Sequence, residues 1–261
     1  MRPAGGLTPI DAAALRDLAE SPPSPEPPVG GSSRRITDDR YLIEIGPDPD
    51  PDMNVVSRLR LDGHDLETAI ADARRTFREA GRREATWEVG SGSTPSGLVD
   101  RLRALGMTGH DPGSMLALAC TAEPASATPG IETERVETDA QFDEVRGVFA
   151  EADGWHPSDD WLRGPGFVTR YLARIDGRAV ATADITWLEH DRAVFLGGAV
   201  TLPEFRGRGA YRALVHRRWE EAAARGRDVL VTQSEPMSQP ILLRLGFRVV
   251  GKITVLLDRF E

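Results

Sequence analysis

The sequence predicts an α/β (α+β) protein made of two αβ halves. Three observations carry this. Residues 36–122 read in the order strand, strand, helix, strand, helix, strand. Residues 131–261 read as strand, helix, three strands, helix, strand, helix, strand. Within the second half an apolar strand at Val194–Val200 runs through a Pro-led, Gly-rich turn into an amphipathic helix. Residues 1–35 precede both halves as a helix and a Pro-rich linker.

Thr8 is placed to cap the first helix, with Pro9 at the first helical position, where its missing N–H costs nothing. The helix is expected to run to about Glu20, where Pro22-Pro23-Ser24-Pro25 breaks it into an extended, mobile linker that continues to Ser33. Tyr41–Ile45 and Val55–Leu61 read as strands, the second alternating with Val55, Ser57, Leu59 and Leu61 on one face. His64–Gly81 is an amphipathic helix with Leu66, Ile70, Ala73 and Phe77 on one stripe. A strand at Ala85–Val89, a helix from Thr94-Pro95 to Leu105 and a strand at Met115–Cys120 complete this half. Ala122–Gly130, small and polar, is the expected boundary.

Beyond it, Thr133–Val136 reads as a strand, Asp139–Ala152 as a helix capped by Thr138, and Gly154–Gly166 as a loop. Strands follow at Phe167–Ile175, Ala179–Leu188 and Ala193–Val200, the first two joined by the hairpin signal Asp176-Gly177. The helix Gly209–Arg225 spaces Leu214, Val215, Trp219 and Ala222 for burial. Val229–Thr232, Ser238–Leu245 and Arg248–Leu257 are read as strand, helix and strand. Leu102-Arg103-Ala104-Leu105-Gly106-Met107 echoes Leu242-Leu243-Arg244-Leu245-Gly246-Phe247, each closing a helix ahead of a strand. The echo reads as an internal duplication or as a common helix-to-strand connection.

Composition narrows the function. The formal net charge is −9, which disfavours nucleic acid or an anionic membrane as partner and permits a cationic one. No apolar run reaches the roughly 18 residues of a membrane span, and Met1–Ile10 has no signal-peptide core, so a cytoplasmic location is expected. One cysteine, Cys120, rules out an intrachain disulfide and reads as a buried thiol; no metal is expected.

The chemistry is concentrated at Pro203-Glu204-Phe205-Arg206-Gly207-Arg208-Gly209-Ala210-Tyr211. The first N–H groups of a helix lack partners and lie at the positive end of its dipole. Gly207 and Gly209 let backbone approach a phosphate closely, and Arg206 and Arg208 add charge-assisted hydrogen bonds. The plain alternative is a surface turn. The spacing differs from the G-x-G-x-x-G fingerprint, and no Gly-Lys-Ser/Thr follows.

These residues resemble the GNAT superfamily of acyl-CoA-dependent N-acyltransferases, whose pattern Gln/Arg-x-x-Gly-x-Gly/Ala is matched through Ala210, with Tyr211 at the last position. The resemblance covers residues 131–261, and the first half reads as a degenerate copy without the arginine–glycine turn. It implies a mixed, mostly antiparallel sheet flanked by helices. Acetyl-CoA would serve as cosubstrate, with Ala199, Val200 and Thr201 pairing with the pantetheine amides and Arg206–Tyr211 cradling the pyrophosphate. It also implies that the strand at Val229–Thr232 splays from its neighbour to admit the thioester. The tyrosine that often serves as acid in this family is replaced by Leu242.

An attacking amine must lose a proton, and a carboxylate or histidine can take it. Asp184, inside an apolar strand, Glu151 and Glu235 are the candidate catalytic groups, each also readable as a surface charge. Asp153, Asp159 and Asp160 flank the same loop. Trp155, His156 and Trp161 are candidate acceptor-site residues, the tryptophans equally suited to core packing. The expected function is transfer of an acetyl or short acyl group to a small-molecule or peptide amine by a monomer or homodimer. The alternative is a non-catalytic acyl-CoA sensor.

Overall fold

The computed structural model describes residues 10–27, 31, 33–61, 65–124 and 129–261. Helix α1 (Ala12–Glu20) opens the described chain. The first half then comprises β1 (Arg34–Thr37), β2 (Leu42–Ile45), β3 (Asn54–Ser57), α2 (Leu66–Glu79), β4 (Glu84–Gly90), α3 (Leu98–Ala104) and β5 (Thr108–Cys120). The second comprises β6 (Glu132–Arg135), α4 (Asp139–Asp153), α5 (Asp159–Arg163), β7 (Val168–Ile175), β8 (Arg178–Trp187), β9 (Ala193–Thr201), α6 (Ala210–Ala224), β10 (Val229–Ser234), α7 (Gln239–Arg244) and β11 (Arg248–Arg259).

The halves repeat one topology. In each, a run of antiparallel strands (β1–β3 in the first, β6–β9 in the second) ends in a strand (β3 or β9) that runs parallel to the next (β4 or β10) across a connecting helix. The helix ends match in detail. Gly81 and Gly226 follow α2 and α6 at φ +74° and +76°. Gly106 and Gly246 follow α3 and α7 at φ +98° and +99°, and Met107 and Phe247 donate back to Leu102 and Leu242 at 3.2 and 3.1 Å. Left-handed glycine caps of this kind satisfy the last helical carbonyls. The echo at Leu102 and Leu242 is therefore one structural motif used twice.

The sheet does not divide at the expected boundary. All eleven strands form one sheet, in the order β1-β2-β3-β4-β11-β5-β10-β9-β8-β7-β6. The final strands are exchanged: β11 lies against β4, and β5 lies against β10. The two exchanged strands also pair with each other along most of their length. Leu256 of β11 is consequently buried in the first half's core with Phe77, Trp87 and Leu102. Asp258, also on β11, accepts two hydrogen bonds from Arg74 of α2, at 2.7 and 3.0 Å. Helix α1 is not a separate appendage. It covers the junction, packing Leu18 and Ala19 on Ala117, Ala119, Val229, Val231, Ile253 and Val255.

Several sequence expectations are corrected. Thr8 and Pro9 lie outside the described residues, and Asp11 caps α1 by accepting from Ala13 and Ala14. The described part of the linker is tied down: Pro23 accepts a hydrogen bond from Glu189 N at 2.9 Å. β1 occupies residues read as the end of that linker and the start of the first half. The strand expected to reach Leu61 stops at Ser57, because Arg58 turns to φ +52°, although Leu59 and Leu61 remain buried. The start expected for the next helix, His64, lies outside the described residues. Thr94 bonds to Leu59 and Leu61 as a strand residue would, so α3 starts only at Leu98. β5 begins at Thr108, well before Met115, because β11 supplies it with a partner there. The loop at Gly154–Gly166 contains α5, capped by Ser158. Thr138 caps α4 in a reciprocal box with Gln141, and Cys120 is buried with its thiol pushed up by that burial.

Exchange of β11 ties the two cores together, which makes unfolding a single event. Leu256→Ala should cost about 2–5 kcal/mol. In a urea titration, circular dichroism and tryptophan fluorescence should shift together in one transition. Two separate transitions, with only one displaced, would show that the halves fold independently.

Candidate functional site

Strands β9 and β10 pair only at Ala193–Phe195 and Val229–Val231. Beyond that, β9 follows β8 to Thr201 and β10 follows β5 to Ser234, so the two strands part as a fork. Thr232 sits at the crotch, its hydroxyl donating to Leu196 O at 2.7 Å. On its other side β9 slips against β8: Ala183 faces both Gly198 and Ala199, between the pairs Thr182–Val200 and Asp184–Gly197. Gly198 takes φ +58° at this bulge, a conformation that needs glycine.

Past the fork, a turn leads into α6. Gly207 and Gly209 both hold positive φ, at +77° and +98°, and nothing lies within 4 Å of where a Cβ on Gly207 would be. No side chain caps α6. Its leading N–H groups thus face outward beside exposed Arg206 and Arg208, an arrangement suited to an anion. Ala199 is exposed and Val200 and Thr201 are half-buried along the open edge of β9. Tyr211 is half-buried, and burial raises its pKa.

The candidate acids fall into different surroundings. Asp184 is buried and paired with Arg170 at 2.5 Å. Burial raises its pKa, against the lowering effect of Arg170 and Arg218. Glu151 is exposed and paired with Arg178, which also meets Glu204 at 3.3 Å and stacks on Phe205. That places Glu151 beside the turn that leads into α6, near Glu204 and Phe205. Glu235 follows β10 directly, and its pKa is raised by burial and by Asp111 and Asp52. Trp155 and Trp161 make edge contacts with each other and with Phe149, at centroid separations of 4.6 to 5.3 Å. Trp161 also lines a cleft of about 310 Å³ between the halves with Phe167, Thr186, Glu44, Asp52 and Val55. His156 is exposed. Leu242, where a tyrosine was expected, is buried in the core.

Two residues that sequence reasoning passed over stand out. Glu88 of β4 is half-buried. Its pKa is pushed up to about 8 by burial and by Glu44, helped by Asp52 and opposed by a hydrogen bond from Gln233, the neighbour of Thr232. Its signal in the sequence is the same as that of Asp184, an acid within an apolar strand. Arg218 of α6 is fully buried where Trp219 had been expected, and Trp219 is only half-buried. Its signal was its place on the apolar stripe, four residues from both Leu214 and Ala222.

Residues 134–247 match the acetyltransferase (GNAT) family. That stretch lies within the second half. No curated protein matches the chain. Among solved structures, a GCN5-related N-acetyltransferase from Kribbella flavida covers 97% of this chain and 96% of its own, with TM-score 0.66 and 19% identity. A conserved protein of unknown function from Staphylococcus epidermidis ATCC 12228 covers 89% and 96%, with TM-score 0.61 and 14% identity. A tandem GNAT protein from the clavulanic acid biosynthesis pathway covers 98% and 91%, with TM-score 0.59 and 14% identity. At these identities the likeness is one of fold, and it spans both halves. Among the described residues no helix is long and apolar enough to cross a membrane, and no group of His, Cys, Asp or Glu is arranged to hold a metal.

The first half repeats the GNAT topology without the fork's chemistry. β3 and β4 part after Val56 and Trp87, but Arg60 and Thr94 re-form a parallel bridge, with Leu61 N and Thr94 N bonded across at 3.0 and 3.1 Å. The opening is closed by backbone pairing. Titration calorimetry should therefore give one acetyl-CoA per chain. Gly209→Asp, which sets a carboxylate at the uncapped start of α6, should weaken binding at least about tenfold. Two sites per chain, or unchanged affinity in the folded variant, would place the cofactor elsewhere.

Proposed function

We propose that the chain is an N-acyltransferase that moves an acetyl or other short acyl group from CoA to a cationic amine. The observation that carries this is the coincidence of the β9–β10 fork with the uncapped, glycine-led start of α6. In this reading Ala199–Thr201 pair with the pantetheine arm, and Arg206–Tyr211 hold the pyrophosphate through backbone N–H groups. The thioester then lies near Thr232 and Gln233. The acceptor enters by the cleft beside Trp161, where Glu44 and Asp52 lie close enough to Glu88 to raise its pKa; carboxylates gathered in this way suit a protonated amine.

The amine gives its ammonium proton to a carboxylate, and the free nitrogen attacks the thioester carbonyl. The tetrahedral intermediate collapses by breaking the C–S bond; CoA leaves as thiolate, and the second proton shed by the nitrogen passes through water towards the sulfur. A thiol has a reference pKa of about 8.5, so the thiolate is a fair leaving group and can be protonated by water. That accommodates Leu242 in place of an acid. Leu242 also supports the second reading, an acyl-CoA sensor without turnover. Acetyl-CoA consumption with a panel of mono-, di- and polyamines separates the two, and binding without turnover favours the sensor.

Glu88 is the first choice for the base. A base works only when ionised, so a carboxyl near 8 is about one per cent ionised at pH 6 and gains activity as pH rises. At saturating acceptor, kcat should climb through pH 8 in the wild type. Glu88→Gln should lower it about 100-fold at pH 8 and flatten that limb. An unchanged limb in the folded variant would pass the proton to Glu235 or a water.

No tyrosine is the acid in this proposal. Tyr41 lies in the first half's core and Tyr171 is fully buried, its pKa raised by burial and by Glu221. Tyr41→Phe, Tyr171→Phe and Tyr211→Phe should each keep kcat within about tenfold. A loss of about 100-fold with intact acetyl-CoA affinity would identify a tyrosine acid.

A further inference from the structure

Arg218 is fully buried, and its placement has no explanation in packing alone. Burying a guanidinium costs several kcal/mol unless its donors are matched. Nε donates to Leu214 O of its own helix at 3.0 Å. Nη1 donates to Asp184 O at 2.9 Å and reaches Gly197 O at 3.5 Å. Nη2 has no hydrogen-bond partner. Asp184 and Gly197 are the paired residues at which β9 slips against β8. A bulge leaves ladder groups short of regular partners, and Arg218 supplies a donor at that spot. The bulge begins one residue past Leu196, where Thr232 marks the crotch of the fork.

The opposite face of the sheet holds the same spot. Arg170 and Tyr171 are consecutive on β7 and point to opposite faces. Tyr171 packs in one core cluster with Leu214 and Val215 of α6, and Arg170 meets Asp184, so the Asp184 carboxylate and α6 lie on opposite faces. The Asp184 carboxylate fills the space beside Gly198: a Cβ there would come within 2.3 Å of Oδ2. Arg170 holds that carboxylate at 2.5 Å, donates to Leu162 O and Trp161 O of α5, and stacks on the Trp161 ring at 3.7 Å. Asp184 Oδ1 has no hydrogen-bond partner. One bulge is thus gripped by Arg218 from the helix that begins at the phosphate turn, and by Asp184 with Arg170 from the wall that carries Trp161.

We propose that Arg218 is a positioning residue for cofactor binding: it fixes the β9 bulge at Gly197–Gly198, which keeps the edge of β9 turned from β10 and open to the pantetheine arm. Asp184 is its counter-charge through the strand. This rests on the acyl-CoA reading of the fork. It replaces a catalytic role for Asp184 with an architectural one, because a carboxylate held by Arg170 and covered by β9 is poorly placed to take a proton from an acceptor.

The test is Arg218→Met, which keeps the bulk and removes the donors, with Arg218→Lys beside it. Acetyl-CoA affinity by calorimetry and the separate KM and kcat values would be measured on the full chain. Arg218→Met should weaken acetyl-CoA at least about tenfold and raise its KM alike, with kcat at saturation within about threefold. Arg218→Lys, which retains one donor for Asp184 O, should recover part of the affinity. Unchanged affinity in folded Arg218→Met overturns the proposal, as does an equal fall in kcat with KM unmoved. Should Arg218→Met not fold, Gly198→Ala reads the same bulge through the contact with Asp184, and wild-type affinity in that variant overturns the proposal. Wild-type protein that binds no acetyl-CoA removes the reading of the fork itself, whereas wild-type binding with an insensitive Arg218 removes only this inference.

Discussion

The exchange of the two last strands is the constraint on which the rest of this molecule depends. A strand buried on both faces needs a partner on each edge, and β5 and β11 each find one in the opposite half and one in each other. Two units with separate cores would otherwise meet through an ordinary interface. Here a continuous ladder joins them, and Leu256 and Asp258 of the last strand complete the first half's core. Helix α1 then has a floor built from both halves, and Glu20 at its end accepts from Ser91 and Gly92 in the pocket left by Gly90 and Gly251. The same joining brings Gln233 of β10 to α1, where its side-chain amide donates to Glu20 O at 3.0 Å.

The fork is the second consequence of strand pairing. β9 cannot follow β10 past Phe195 because β10 is drawn along β5 while β9 remains on β8. A gap inside a sheet leaves backbone groups to be satisfied, and an unmet buried group costs on the order of 1–3 kcal/mol. Thr232, Arg218 and the Asp184–Arg170 pair occupy that neighbourhood. Buried ions of this sort are expensive and seldom add stability, so their presence beside the fork indicates that they hold a shape.

The two halves show how far a shared topology goes. They agree in strand order, crossover and glycine caps, yet Arg60 and Thr94 close the first half where the second stays open. Among the described residues, the second half adds β6, α4 and α5 and keeps its fork open.

Much of this was legible in the sequence, and for a uniform reason. Helices, strands and caps follow from residues a few positions apart: Thr138 with Gln141, Gly207 with Gly209, the stripe from Leu66 to Phe77. The phosphate turn was legible because positive φ and an uncapped helix start are properties of consecutive residues. What failed locally failed where distant chain intervened, as when β11 lengthened β5 or Thr94 was captured by Leu59. The sequence by itself determined the order of elements, their repetition and the anion-ready turn. Only the tertiary structure decided that the last strands trade places, that Arg218 rather than Trp219 is the buried residue of its helix, and that Glu44 comes close to Glu88. A strand's partner is chosen by which edge buries most apolar surface across the whole chain, and a buried charge is defined by neighbours that only that choice supplies.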